Sequence, residues 1–450
     1  MRRVSKWIWI VWVPCLASAA VPSSSHRGHT GAFVSSTTAG TTIRIRVKRS
    51  VPDLTIRAFD LRWATAGPFQ TYLNGPAEVL VNCTSQKTEV FSGGRKLMRT
   101  SSTLRFDSLP GLVRVDGVPH RERVLIERSV DGRSCDVINE LGLEQYLTGV
   151  VNEEFSSKWS PESVRAQIVA ARSYALFQMF EARKRGRSFD VESTVADQVY
   201  GGMPSEDAAA VRLVRSTEGL VLRVRRRSPA DATSDGAWSP LKAFYHSTCG
   251  GSTVTPEQVW GQKIAGFRRG VRCGFCEASP RFRWTLTVPV SGLLDRLGLS
   301  LASVLRRGIQ AFQVIERPGR VADVIGVSGD GRRLTSMNAW RFRSALGPDS
   351  LRSTRFQGVL RGNTWVFNGQ GFGHGVGMCQ YGAKGMGERG YSFDAILRHY
   401  YPDATVARWS GHTDGRTSVV GRTGVGRVTS AGRVTSAGGV TSAGGVTEPN

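Results

Sequence analysis

Between residues 41 and 137, apolar and polar positions alternate in short runs separated by turn signals: TTIRIRVK, AEVLVNCTS, GLVRVDG and RVLIERS. A period of two sends every second side chain to one face, so these runs predict strands and together a β-rich domain. Beyond residue 137 the period changes. In GLEQYLTGVVNEEF, Leu143, Leu147, Val150 and Glu154 follow at steps of four, three and four, which places them on one face of a helix. Glu154 thus continues an apolar stripe, whereas Glu153 lies about a hundred degrees away and is expected to face water. The next stretch, SPESVRAQIVAARSYALFQMFEARKRG, predicts a longer helix. Ser160 is its candidate N-cap, Pro161 its first helical residue and Glu162 lies in its first turn. Val164, Ile168, Ala171, Ala175 and Met179 recur at helical spacing, and Arg183, Lys184, Arg185 and Gly186 give a cationic last turn with a glycine stop. Ala170, Ala171 and Ala175 leave room for a close neighbour.

The two ends read differently. MRRVSKWIWIVWVPCLASAA, residues 1–20, has basic residues, a short apolar run and a small-residue cleavage site, the pattern of a secretory signal peptide. Its apolar stretch is too short to span a membrane, and Pro14 makes Cys15 a poor lipoprotein site. Residues 21–40 form a Ser/Thr/Gly/Ala-rich flexible leader, and residues 407–450, ending in repeated RVTSAG-like units, form a disordered low-complexity tail with too few apolar residues for a core. The formal net charge is +24, so an anionic partner is expected. Export to the periplasm, cell wall or outside removes intracellular nucleic acid from the choices, and the mature chain has no spanning segment. An anionic wall polymer fits.

Glu154 is the first candidate for chemistry. A carboxylate held against an apolar face loses hydration, which raises its pKa and keeps a proton available, as a general acid requires. The alternative is a structural Glu paired with Arg172 or capping the next helix. Farther on, NGQGFGHGVGMCQYGAKGMGERGYSFDAILRHYY carries nine glycines beside His374, Cys379 and Gln380. Its GxGxxG lacks the strand–turn–helix setting and downstream acid of a dinucleotide site, and nothing marks an oxyanion hole for a Cys379–His374 protease pair. FYHSTCGG and VRCGFCEASP supply His246, Cys249, Cys273 and Cys276, a possible tetrahedral structural zinc set. Exported chains also spend cysteines on disulfides, so both pairings stay open, as does a Cys83–Cys135 bond in the β-rich domain.

Several of these motifs, in order from about residue 138 to 406, resemble the stage II sporulation protein D/LytB family: LGLEQYLTGVVNEEF, SPESVRAQIVAARSYAL, DQVYGG, AFYHSTCGG, FRSALGPDSLRSTRF and the glycine-rich run. The resemblance implies an α+β fold, with the β-rich N-terminal domain at 41–137 and a mixed α/β catalytic core at 138–406 bearing a glycine-rich cleft loop. It implies a lytic transglycosylase that cuts the MurNAc–GlcNAc backbone of peptidoglycan, with Glu154 as catalytic acid. One carboxylate would suffice: Glu154 protonates the glycosidic oxygen, the substrate's N-acetyl group stabilises the cation, and Glu154 then acts as base while the C6 hydroxyl closes a 1,6-anhydro ring. Asp190 and Asp197 lie nearby in sequence without being placed as a second carboxylate. The implied substrate-binding set is Arg172, Tyr174, Gln198, Tyr200, His246, Ser247, His374, Gln380 and Tyr381. Catalysis needs no cofactor. Relatives in which the protein instead enhances a partner amidase imply an alternative, non-catalytic wall-binding role. The family commonly has Ser at the position of Cys379.

Because much of the charge lies outside these motifs, as in RVRRRS and FRRGVR, binding to insoluble wall material should weaken steeply as salt shortens the Debye length from about 10 Å at 0.1 M. Pelleting with isolated sacculi across a salt series checks this; salt-insensitive pelleting would show that surface charge does not do the holding.

Overall fold

The computed structural model describes residues 41–65, 71–84, 86–225, 238–297, 308–317 and 320–409; the expected signal peptide and leader, and the expected tail beyond Trp409, lie outside the described residues. In chain order the helices are α1 (Leu143–Glu154), α2 (Pro161–Lys184), α3 (Ala208–Ser216), α4 (Pro256–Trp260), α5 (Val290–Leu297), α6 (Ala339–Leu346), α7 (Gln380–Glu388) and α8 (Phe393–Tyr400). Strands outnumber them, so the structure is mixed and strand-rich. None of the described helices is long and apolar enough to cross a membrane.

The alternating runs near the start do pair, into an eleven-stranded sheet. All of its pairings are antiparallel except a two-residue parallel contact of Ile45 and Arg46 with Val191 and Glu192. One strand shows how the pattern builds an interior. In Asp53–Ala64, Leu54 and Ile56 are buried, and then Leu61 and Trp63. The parity switches because Asp60 sits at φ 53° in a bulge between Phe59 and Leu61, where one extra residue turns the strand over. The Asp60 carboxylate accepts the Gly75 N–H at 2.7 Å, which holds the bulge shut. The sheet's strand Cys135–Gly142 pairs with Thr42–Val51 and Arg123–Arg128 and leads straight into α1.

α2 is buried on two sides. Val164, Ile168, Ala171, Ala175 and Met179 share an interior with α1 and with Ile43 and Ile45 of the large sheet. Ala166, Val169 and Ala170 share a second interior with Leu222, Met378, Ile396 and Leu397, drawn from a neighbouring strand, the glycine-rich run and α8. Pro161 opens the helix as expected, but Ser160 caps it only by position; its hydroxyl makes no capping bond, and its carbonyl accepts from Val164 N at 3.1 Å. The strand Thr405–Arg408 pairs with Leu220–Arg225, so ordered chain continues just past residue 406.

Residues 283–370 hold a feature the sequence pattern did not separate from its surroundings. Six antiparallel strands, from Arg283–Pro289 to Arg333–Asn338, form a second large sheet. With α5 and α6 it encloses Trp284, Leu293, Phe312, Phe342, Trp365 and Phe367.

Cys83 and Cys135 are joined as a disulfide across 52 residues of the first sheet. Closing a loop of that length restricts the unfolded chain, so replacing both cysteines with Ala should lower the unfolding free energy by about 4 kcal/mol. Chemical denaturation without reductant measures it.

Candidate functional site

Glu154 is the last residue of α1, and the stripe leading to it is buried: Leu143, Leu147 and Val150 all face the interior. Its side chain is half-buried, and one carboxylate oxygen accepts the Val199 N–H at 2.6 Å. Burial pushes the carboxyl above the usual carboxylate range; the Val199 N–H, which favours the ionised form, offsets part of this, and the neighbouring Glu153 charge adds to it. Glu153 itself is exposed and bonded to the Ser205 hydroxyl. The expected contrast between the two glutamates is therefore present in the structure.

The salt-bridged alternative is not. Arg172 forks onto Glu144, at 2.8 Å and 2.6 Å, and gives a third bond to the Leu220 carbonyl at 3.0 Å. It is 1 % exposed, so this guanidinium is an internal strut and is not placed to receive a substrate. Asp190 and Asp197 are likewise engaged. Asp190 is fully buried and paired with Arg44 and Arg183; Asp197 accepts the Tyr174 hydroxyl at 3.0 Å and the Glu192 N–H at 2.9 Å.

Around Glu154 stands a shell of phenols and amides. Buried Gln198 accepts from the Tyr146 hydroxyl at 3.1 Å and donates to the Tyr245 hydroxyl at 2.9 Å. Burial pushes the Tyr245 phenol well up, and the Glu154 charge adds to that; Tyr146 and Tyr174 respond to burial and to the charges of Asp197 and Glu154 in the same direction. Tyr146 and Tyr245 escaped the sequence reading, although Tyr245 directly precedes the HSTC motif. Tyr200 turns the other way, donating to Asn139 of the large sheet at 3.0 Å.

The remaining predicted residues gather where Tyr245–His246 pairs in parallel with Met378–Cys379. Gln380 donates to the Glu154 carbonyl at 2.9 Å, tying α7 to the end of α1. Tyr381 donates its N–H to the Ser247 carbonyl at 3.0 Å, and its ring meets Trp159 edge-on at 5.1 Å. His246 and His374 lie with ring centroids 5.4 Å apart. Burial lowers the His246 pKa to about 4 and holds His374 well below the usual histidine range, so both rings are neutral. His374 Nδ1 accepts the Val376 N–H at 3.0 Å, His246 Nδ1 contacts the Val376 carbonyl at 3.1 Å, and the His246 Nε2 is buried without a protein partner.

The glycine-rich run was expected to make room for a sugar chain. Much of that room is taken by the protein itself. Gly377 has φ 72°, and a Cβ there would lie 2.0 Å from the Phe244 carbonyl oxygen. Gly382, in α7, leaves the space that Cys273 and Tyr400 occupy.

The thiols also differ from expectation. Four buried cysteines, Cys249, Cys273, Cys276 and Cys379, bring their sulfurs within 4.8 Å of one another. The fourth corner is Cys379, supplied by the glycine-rich run, and not His246, whose ring is turned to Val376. A cleft of about 1020 Å³ lies elsewhere, on the six-stranded sheet between Arg283, Gln313, Gln357 and Asn368, away from Glu154.

The site thus consists of one half-buried carboxyl with a raised pKa, a buried phenol–amide shell and two neutral imidazoles. The family model for the stage II sporulation protein SpoIID matches residues 131–223, which include all of α1, α2 and Glu154. An uncharacterized protein of Brachyspira hyodysenteriae is 29 % identical over 274 residues, 61 % of this chain and 69 % of that protein. The stage II sporulation protein D of Bacillus subtilis is 27 % identical over 279 residues, 60 % of this chain and 76 % of that one. The amidase enhancer of Bacillus subtilis is 26 % identical over 313 residues, 58 % of this chain but only 40 % of its own. Residues 131–223 thus match the SpoIID model, and the similarities along the rest of the chain support a member of the SpoIID/LytB family.

Arg172 offers a test of its structural role. Arg172→Met would leave Glu144 without its buried partner and should cost about 3 kcal/mol of unfolding free energy. A variant of unchanged stability in equilibrium unfolding, defective only in ligand binding, would return Arg172 to the substrate-binding set.

Proposed function

We propose that the chain is an exported lytic transglycosylase acting on the glycan strands of peptidoglycan. The observation that carries the reading is Glu154: a carboxyl with a raised pKa and, among the described residues, no cation bonded to it, in the setting the family resemblance assigns to a catalytic acid. In its protonated form, which burial favours, it donates to the glycosidic oxygen. The N-acetyl group of the MurNAc residue stabilises the positive charge, and the glutamate, now ionised, takes the proton of the C6 hydroxyl as the 1,6-anhydro ring closes. No second carboxylate enters, which agrees with the engagement of Asp190 and Asp197 in other bonds. Ser247, His374, Gln380 and Tyr381 are the residues we assign to holding the strand, and buried Gln198 acts through Tyr245. Arg172 and Tyr200 support the fold, and Tyr174 acts through Asp197.

A second reading is that the chain binds the wall and enhances a partner amidase. It is favoured by the similarity to the amidase enhancer. The readings separate on one experiment: purified protein incubated with denuded glycan strands, followed by mass analysis for 1,6-anhydro-MurNAc ends. Their absence, with wall binding intact, supports the enhancer.

Two outcomes are expected of the enzyme. Glu154→Gln preserves shape and should lower turnover at least about a hundredfold, whereas Glu153→Gln should change it little; equal turnover of Glu154→Gln and wild type removes the enzyme reading. The working form of Glu154 is protonated and its pKa is raised, so activity should fall as pH rises through that value. The alkaline limb of kcat/KM should lie above the ordinary carboxylate range of about 4.

A further inference from the structure

We propose that the chain holds one zinc ion on the sulfurs of Cys249, Cys273, Cys276 and Cys379, and that this ion clasps α7 to the segment 249–276. Zinc–thiolate bonds of about 2.3 Å at tetrahedral angles separate the sulfurs by about 3.8 Å. Here all four sulfurs lie within 4.8 Å of one another, and those of Cys249 and Cys276 are 3.6 Å apart. The ligands come from three separate places: Cys249 just after the strand Tyr245–His246, the two-residue spacing of Cys273 and Cys276, and Cys379 at the N-cap of α7.

Hydrogen-bond donors reach two of the four sulfurs, although Cys379 Sγ also lies 3.8 Å from the Ser247 carbonyl. Cys379 Sγ accepts the Cys249 N–H at 3.2 Å and the Gly382 N–H at 3.3 Å, so two backbone donors converge on one sulfur. The Tyr400 hydroxyl lies 3.1 Å from Cys273 Sγ. Such outer donors orient ligands and spread their charge. All four cysteines are buried, where that much negative charge needs a cation. A set of four protein ligands leaves no open position for substrate, so the ion is structural.

Position gives the clasp its consequence. Cys379 is followed by Gln380, whose side chain holds the Glu154 carbonyl, and by Tyr381, whose N–H holds Ser247. One residue beyond a ligand, the chain thus makes the bond that ties α7 to the end of α1. The metal assignment is independent of what the protein cleaves; the effect on Glu154 rests on the transglycosylase reading.

The test uses the full chain, purified with reductant from zinc-supplemented culture. Elemental analysis should find about one zinc per chain, and a chelator should lower Tm. Cys379→Ser should weaken zinc retention against a competing chelator at least about tenfold, and Tyr400→Phe about tenfold, whereas His246→Ala should keep its zinc. If Cys379→Ser fails to fold, the wild-type metal content and intact mass decide, because four free thiolates on zinc and two disulfides differ by four hydrogens. Metal-free protein whose thiols are blocked would overturn the proposal. So would iron in place of zinc, or full zinc retention by Cys379→Ser together with loss in His246→Ala.

Discussion

A guanidinium shut inside the protein governs where the rest of the site can be. Arg172 projects from a helix buried on two faces, and a charge there must be matched. Glu144 supplies the match with two parallel bonds, while the Leu220 carbonyl takes a third. Three elements are thereby fixed to one side chain: α1 through Glu144, α2 through Arg172, and the strand beginning at Leu220. Glu144 lies in the first turn of α1 and Glu154 at its end, so the pair sets the rotation and height at which Glu154 arrives. It also commits the Arg172 guanidinium to Glu144 and not to Glu154.

Around this strut the two interiors on either side of α2 are built by different means. On the α1 side, ordinary aliphatic side chains fill the space at helical spacing. On the other side the chain relies on closeness. Small residues of α2, glycines of the run and α7, and four cysteines let backbones approach to distances a larger side chain would forbid. The price of such closeness is conformational entropy, and a cross-link of the kind a metal provides offsets it in the way the Cys83–Cys135 bond does for the first sheet.

What could be read in advance follows from how local each feature is. The phase of α1 and α2 was legible because burial on one face repeats within a few residues, and Leu143, Leu147, Val150 and the α2 stripe are all buried. The alternating runs showed strands, though not the bulge at Asp60, which depends on a left-handed residue that any polar side chain could have occupied. The partner of Arg172 was not legible because Glu144 is 28 residues away and only the packing of two helices brings it there. Cys379 was missed as a companion of Cys273 and Cys276 for the same reason: the parallel pairing of Tyr245–His246 with Met378–Cys379 joins segments that lie far apart along the chain. The six-stranded sheet left no clear signal because its aromatic core is contributed by strands and helices scattered from residue 283 to 370.

The energetics of Glu154 bear on the proposal that the site reacts as well as binds. Desolvating a carboxyl is unfavourable, and a fold can relieve the cost with a cation or with several N–H donors. Here Arg172 of α2 is committed to Glu144, and among the described residues the Val199 N–H answers the carboxylate. A surface that merely holds a neutral glycan gains nothing from this arrangement, since an amide or hydroxyl would make the same bonds without the penalty. A group that must release a proton and recover it gains directly, because a raised pKa makes the protonated form easier to keep. The tyrosines deepen the effect, for Tyr146, Tyr174 and Tyr245 are driven by burial toward their neutral forms and cannot supply charge of either sign. Glu154 thus carries its raised pKa among phenols that stay neutral.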